Sequence, residues 1–282
     1  MTTATPVPRL HAEKIELRYA DRTIVDELTL EIPDGGFTVV VGPNGCGKST
    51  LLRALGRMLA PRSGRVVLDG NDIRSYRTKD VARRIALLPQ SPLSPGAISV
   101  ADLVSRGRYP YQSMLRQWSP EDERVVSEAL TEVGMRYAAD QLVDELSGGQ
   151  RQRVWIAMTL AQRTPVLLLD EPTTFLDIAH QIEVLDLCSQ LHQSGRTLVA
   201  VLHDLNLAAR YATHVVAMRS GKIVMQGSAS EVFTPSCCAK CSTSRLLSSK
   251  IRKPDGHLLF RVTTDLSVSY PSKTETTIRR NR

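Results

Sequence analysis

Residues 10 to 41 read as strands: "KIELRY" and "LTLEI" alternate apolar and polar, predicting half-buried strands, and "PDGG" predicts a turn. The period then changes. "FTVVV" is unbroken and apolar, as a strand buried on both faces is, and "KSTLLRALGRML" repeats leucine at helical spacing until "APRSG" stops it. "RVVLDG" predicts a further strand. From about Ile98 to Asp144 the patterns are helical: "SVADLVSR", "SPEDERVVSEALTEVG" and "AADQLVDEL", with Ser or Asp near their starts as caps. Beyond Leu146 a helix over "QRQRVWIAMTLAQR", a strand "VLLL", a helix "IAHQIEVLDLCSQLHQ", a strand "TLVAVL" and a helix "LNLAARYA" follow one another. This alternation predicts an α/β fold. A mostly parallel sheet forms the core, with an N-terminal antiparallel β subdomain and an inserted α-helical subdomain at about 98–146.

Composition narrows the class. With 282 residues, 42% hydrophobic and 23% charged, the chain reads as an ordinary globular protein. Its longest apolar runs fall far short of the roughly 18 residues of a membrane span, and "MTTATPVPRL" lacks the apolar core of a signal peptide. A soluble, cytoplasmic chain is expected, so any work at a membrane needs other subunits to span it. The net charge of +7 is unevenly placed. Residues from Ser236 hold ten of the 36 Lys and Arg and three of the 29 Asp and Glu, so residues 1–235 balance at 26 of each. The basic excess is therefore no argument for nucleic-acid binding by the body.

Chemistry enters with "GPNGCGKS", which fits G-x-x-x-x-G-K-[ST] with a strand before it and a helix after it. Its glycines let backbone N–H groups converge on phosphate oxygens, and the helix N-terminus adds a favourable field. Lys48 is placed to reach the outer phosphates and the Ser49 hydroxyl to ligate magnesium. "VLLLDEP" supplies two carboxylates where a buried strand leaves the sheet. Asp170 can hold magnesium through water, and Glu171 can orient and polarise an attacking water. His203 ends the strand "TLVAVLHD", Gln90 follows "IALLP" and Tyr19 closes "KIELRY"; each alone is commonplace.

Together, in this order, Tyr19, "GPNGCGKST", "LLPQ", "LSGGQRQR", "VLLLDEP", "TFLD" and "VLHD" resemble the ATP-binding cassette subunits of membrane transporters, P-loop NTPases, over residues 10–235. The resemblance implies ATP and Mg²⁺ as cofactors. Tyr19 would stack on adenine, while Gly42, Pro43, Asn44, Gly45, Cys46, Gly47, Lys48, Ser49 and Thr50 would serve phosphates and magnesium. Gln90 would sense magnesium and the membrane partner, Asp170 would hold the metal, Glu171 would be the general base and His203 would contact the γ-phosphate. It implies also a head-to-tail homodimer in which Ser147, Gly148, Gly149 and Gln150 close over ATP bound by the second copy, with Asp177 at the seam. ATP would hold the dimer shut and hydrolysis would let it reopen, passing motion through the Gln90 loop and the helical insertion to polytopic permease subunits.

Between those motifs, "VSRGRYPYQ", "SPEDERVVSEAL", "ADQLVDELSGGQRQRVWIAMTLAQ" and "LLLDEPTTFLDIAHQIEVLDL" resemble the importers of ferric siderophores, whose relatives import haem and vitamin B12. This implies a peripheral subunit at the cytoplasmic face of the cell membrane, served indirectly by a substrate-binding protein and with no nucleic-acid partner. Haem or vitamin B12 import, a soluble cassette ATPase of translation or DNA repair, and a non-catalytic nucleotide-dependent module are the alternatives. The short insertion and neutral body oppose the second, and intact Lys48, Glu171 and His203 oppose the third.

The resemblance stops after "GSASEVFTP". Fourteen of the 47 residues from Ser236 are Ser or Thr, beside Cys237, Cys238 and Cys241, and a disordered basic tail over 236–282 is expected. Those cysteines lack a further Cys/His pair at zinc-finger spacing, so no metal role is expected. Codons can be chosen for "PSCCAKCSTSRLLSSKIRKPDGH" whose neighbouring frame spells a peptide resembling the usual end of these import ATPases. A frameshift near Pro235 would account for the tail.

Overall fold

Alternating residues of the N-terminal segment build two long strands, β1 (Leu10–Tyr19) and β2 (Arg22–Ile32), paired antiparallel across a tight turn. The computed structural model describes residues 8–92, 96–113 and 118–233, together with two short strands at 249–252 and 258–261. The apolar run becomes β3 (Phe37–Val41), buried throughout, and feeds α1 (Lys48–Leu55), which ends at Gly56. β4 (Ser63–Leu68) and β5 (Asn71–Asp72) join the first sheet, ordered β2-β1-β4-β5 and antiparallel throughout. α2 (Thr78–Ala82) and β6 (Ile85–Leu88) lead to α3 (Val100–Ser105) and α4 (Pro120–Glu132). After them come α5 (Gly148–Ala161), β7 (Val166–Asp170), α6 (Ile178–Gln193) and β8 (Thr197–Val201). α7 (Leu205–Tyr211), β9 (His214–Arg219), β10 (Lys222–Gly227) and α8 (Ala229–Val232) complete the body.

The second sheet runs β10-β9-β3-β8-β7-β6, parallel except for the β9–β10 pair at one edge. Its central strands alternate between two cores. Val39, Leu167, Leu169, Leu198 and Ala200 face the core shared with the helical insertion. Val40, Val166, Leu168, Val199 and Val201 face the core shared with α1 and the antiparallel sheet. Burial on both faces is why these strands read as unbroken apolar runs.

The insertion is built on capped helices. Ser99 Oγ accepts from Asp102 N at 3.1 Å, and Ser119 and Asp122 cap α4 reciprocally. "RGRYPYQ" forms a 3₁₀ segment, Arg106–Tyr111, that packs on α5. A Cβ at Gly107 would lie 2.2 Å from the Met158 carbonyl oxygen, so only glycine allows this approach. Arg108 is buried, donates to Asp122 Oδ1 at 2.9 Å and to the Ala161 carbonyl at 2.8 Å, and stacks 4.0 Å from the Tyr111 ring. Arg83 then donates to the Pro110 carbonyl at 2.8 Å, tying the segment to the strip just before β6. The segment therefore joins the insertion to the sheet.

One expected helix is absent. "AADQLVDEL" forms no α-helix: one 3₁₀ turn, Arg136–Ala138, ends on its first residue and a second, Val143–Glu145, lies near its end. The backbone between them is used elsewhere: Val100 N donates to Gln141 O at 2.9 Å and Val143 N to Ile98 O at 3.0 Å. Those cross-chain bonds compete with i to i+4 pairing and win, because the segment closes the insertion onto its own start.

Of the tail, β11 (Ser249–Arg252) and β12 (Leu258–Arg261) pair antiparallel. The expectations of disorder, of a frameshift and of idle Cys237, Cys238 and Cys241 otherwise lie outside the described residues. Among the described residues no helix is long and apolar enough to cross a membrane.

Candidate functional site

Four neighbouring parallel strands, β3, β8, β7 and β6, deliver their carboxyl ends to one side of the sheet. Each carries a motif there: the glycine-rich loop after β3, Asp170 and Glu171 at β7, His203 after β8 and Gln90 after β6. This is where ligands sit in open α/β sheets. A cavity of about 480 Å³ opens among them, lined by Asn44, Gly45, Gly47, Lys48, Ser49, Thr50, Gln90, Glu171 and His203. A larger groove, about 840 Å³, crosses the antiparallel sheet between Glu13, Asp26 and Arg65 and shares no residue with the motifs.

Lys48 is buried at the first turn of α1, where its Nζ donates to the carbonyls of Gly42 at 2.9 Å and Pro43 at 3.1 Å. The ammonium thus sits inside its own loop. Ser49 Oγ donates to Asp170 Oδ1 at 2.8 Å. Burial pushes the Asp170 carboxyl up, and the charge of Glu171 adds to this against the Ser49 hydrogen bond. Such a carboxylate is improved by a neighbouring cation.

Glu171 is the most constrained group. Its backbone takes φ 53, unusual for a side chain of its size. His203 Nε2 stands 2.6 Å from Oε1, Gln90 Nε2 donates to Oε2 at 2.6 Å and Thr174 Oγ1 donates to Oε2 at 2.9 Å. Burial acts to raise its pKa, yet the bonds from Thr174, His203 and Gln90 outweigh burial and hold the carboxyl below its ordinary value. An ionised carboxylate results.

The other expected residues stand apart from the cavity. Ser147 caps α5: its Oγ accepts from Gln150 N at 3.3 Å, while Gln150 Oε1 accepts from Ser147 N at 3.0 Å. Ser147 and Gly148 are exposed and Gly149 is buried. Asp177 caps α6 and its carboxyl is held down, first by the backbone hydrogen bond of His180 and then by the His180 ring. Tyr19 is 42% exposed, accepts from Arg53 Nη1 at 3.1 Å and does not line the cavity. Cys46 is buried, and burial pushes its thiol up. Sequence reasoning missed Thr174, Arg22 and Ile24, the last two in the cavity lining. Only Thr174 had a signal: it follows Glu171 at the three-residue spacing of a turn, closed by Thr174 N to Glu171 O at 3.2 Å.

The donor set suits a magnesium nucleotide. The Ser49 hydroxyl, the Asp170 carboxylate and the Gln90 amide are hard oxygen donors of the kind Mg²⁺ takes. Among the described residues no group of three or more His, Cys, Asp or Glu could hold a metal, so remaining oxygens would come from phosphate and water, as usual for Mg²⁺ on nucleotides. Replacing Lys48 with methionine is expected to weaken ATP about 10- to 100-fold, the worth of a charge-assisted contact, in a titration with a fluorescent ATP analogue. Unchanged affinity would remove Lys48 from the phosphate role.

Comparison with known proteins agrees with this geometry. The family described as ABC transporter matches residues 25–174, more than half of the chain. The ferric enterobactin transport ATP-binding protein FepC of Escherichia coli (strain K12) is 56% identical over 229 residues, 81% of this chain and 84% of the relative. The probable siderophore transport system ATP-binding protein YusV of Bacillus subtilis (strain 168) is 54% identical over 226 residues, 80% of this chain and 82% of the relative. A bacterial ABC transporter cassette solved as a dimer superposes with a TM-score of 0.69 at 25% identity, over 78% of this chain and 98% of that one. With Lys48, Ser49, Glu171 and His203 brought to one cavity, and with relatives at this identity, the chain belongs to the ABC transporter family as an ATP-hydrolysing subunit.

Proposed function

We propose that this chain powers uptake of a ferric siderophore through separate permease subunits, working as a peripheral subunit at the cytoplasmic face of a membrane. One observation carries the catalytic half: the Glu171 carboxylate, bonded by Gln90, Thr174 and His203, borders the cavity that holds Lys48 and Ser49. The cargo half is supported by the likeness to FepC and YusV.

The reading assigns each residue a task. Lys48 and the loop amides bind the phosphates, and Ser49, Asp170 and Gln90 are the residues that would hold Mg²⁺. Mg²⁺ held there would supply positive charge against the outer phosphates. Glu171 accepts a proton from the attacking water at a carboxylate oxygen, and it is ionised to do so. His203 meets the γ-phosphate from the end of β8. Ser147 to Gln150 and Asp177, which lie outside the cavity, serve a second copy packed head to tail. Tyr19, exposed outside the cavity lining, stacks on adenine. ATP shared between the copies closes them, and loss of the γ-phosphate reopens them.

Cells lacking this chain are expected to lose uptake of an iron-loaded siderophore carrying radioactive iron while keeping cobalamin uptake, and the tagged chain should bring polytopic membrane proteins with it on purification. Loss of cobalamin uptake with iron uptake intact would reassign the cargo. Recovery with ribosomes or DNA would reassign the partner.

A further inference from the structure

Two segments that line no part of the cavity, the first turn of α5 and the loop leading into α6, meet at one side chain. The imidazole of His180 lies against the backbone of Gly149: a Cβ built there would fall 2.5 Å from His180 Cδ2 and 3.0 Å from Cγ. A side chain at Gly149 would therefore have to push this imidazole aside, independently of any phosphate. On its other side His180 Nδ1 is 2.8 Å from Asp177 Oδ1, which also accepts from the His180 backbone N at 2.9 Å. A carboxylate can only accept, so Nδ1 carries the proton in this contact.

Neighbouring contacts reinforce the junction. Gln181 Nε2 donates to the Leu176 carbonyl at 2.9 Å, and Arg153 of α5 pairs with Glu183 of α6. Exposed apolar residues flank Asp177: Phe175 is 92% exposed, with φ 64, and Ile178 is 75% exposed. An aromatic side chain in a left-handed backbone, facing solvent beside a fixed carboxylate, is costly in a chain that stays alone.

We propose that His180 is a positioning residue that locks the Ser147–Gln150 turn to the Asp177 loop, so that both meet a second copy already arranged. The proposal rests on the head-to-tail reading above. Groups held in their bound arrangement avoid the ordering cost of docking separately, and association strengthens accordingly. Each copy supplies one His180, so both halves of the dimer depend on it.

The test uses the full chain carrying Glu171→Gln and follows ATP-driven association by light scattering. His180→Ala should weaken association about tenfold, the worth of one charge-assisted hydrogen bond, while binding of a fluorescent ATP analogue by the single copy is unchanged and reports that the variant is folded. His180→Asn places an amide N–H where Nδ1 stands and should restore most of the loss. His180→Gln fills the space without reaching Asp177 in the same way, should behave like alanine, and replaces it if the alanine variant does not fold. Association at the parent level in the alanine and glutamine variants overturns the lock, as does an asparagine variant no better than alanine. If the parent itself fails to associate with ATP, the head-to-tail reading falls, and this inference with it.

Discussion

Replacing Glu171 with glutamine is expected to cut ATP turnover roughly 10²- to 10⁴-fold, the usual contribution of a general base, while ATP still binds. The substitution changes one atom and keeps the shape. An amide oxygen can still accept from Thr174 Oγ1, so the side chain stays anchored where the carboxylate now sits, 2.9 Å away. What is lost is the ability to take a proton. Bound nucleotide then persists, and two copies should remain associated in ATP but not in ADP. Phosphate release and light scattering together check this. Normal turnover in the variant would move the base role to another group.

The second large effect lies far from the nucleotide. Arg108 and Asp122 form a buried ion pair, their side chains 5% and 3% exposed, and removing one partner strands the other charge. Arg108→Met is expected to cost about 3–5 kcal/mol of folding stability by urea unfolding, whereas a double variant with Asp122→Leu should recover part of that. Acid sensitivity should follow. Burial pushes the Asp122 carboxyl up, but hydrogen bonds from Ser119 and Arg108 outweigh it and hold the folded-state value below the ordinary one. Its contribution is therefore complete above the unfolded value, about 4, and fades as pH falls through the lower folded value. Without Arg108 the burial effect is opposed by less, so the folded-state value rises and this carboxyl contributes less pH-dependent stability. The variant, weaker overall, should reach its acid-unfolding midpoint at a higher pH. A midpoint of acid unfolding that does not move would exclude this pair as a source of stability.

The sequence made the sheet legible because its strands are of two kinds: half-buried strands alternate, and doubly buried strands do not. Motif positions were legible because strand ends are where loops change chemistry. "AADQLVDEL" misled because Ala139, Leu142, Val143 and Leu146 are spaced as on a helix, while the backbone of 141–143 pairs with Ile98 to Val100. Nothing local announces a pairing some 40 residues away. "RGRYPYQ" hides its burial for a related reason: Arg108 is charged, and only tertiary structure supplies the Asp122 that lets it be buried. Thr174 was hidden by its ordinariness, a hydroxyl in a turn, until the turn aimed it at Glu171.

Strand β7 pairs with β8 up to its last residue, where Asp170 lies opposite Val201, and Glu171 is the first residue past that rung. The two acids thus differ in setting because the ladder stops between them. Deleting a single residue from 166–169 would draw Glu171 onto the final rung, leave Pro172 to head the turn and send any leucine between the deletion and Asp170 to the opposite core. The length of this one strand is thus a catalytic parameter, as exacting as the identity of either acid.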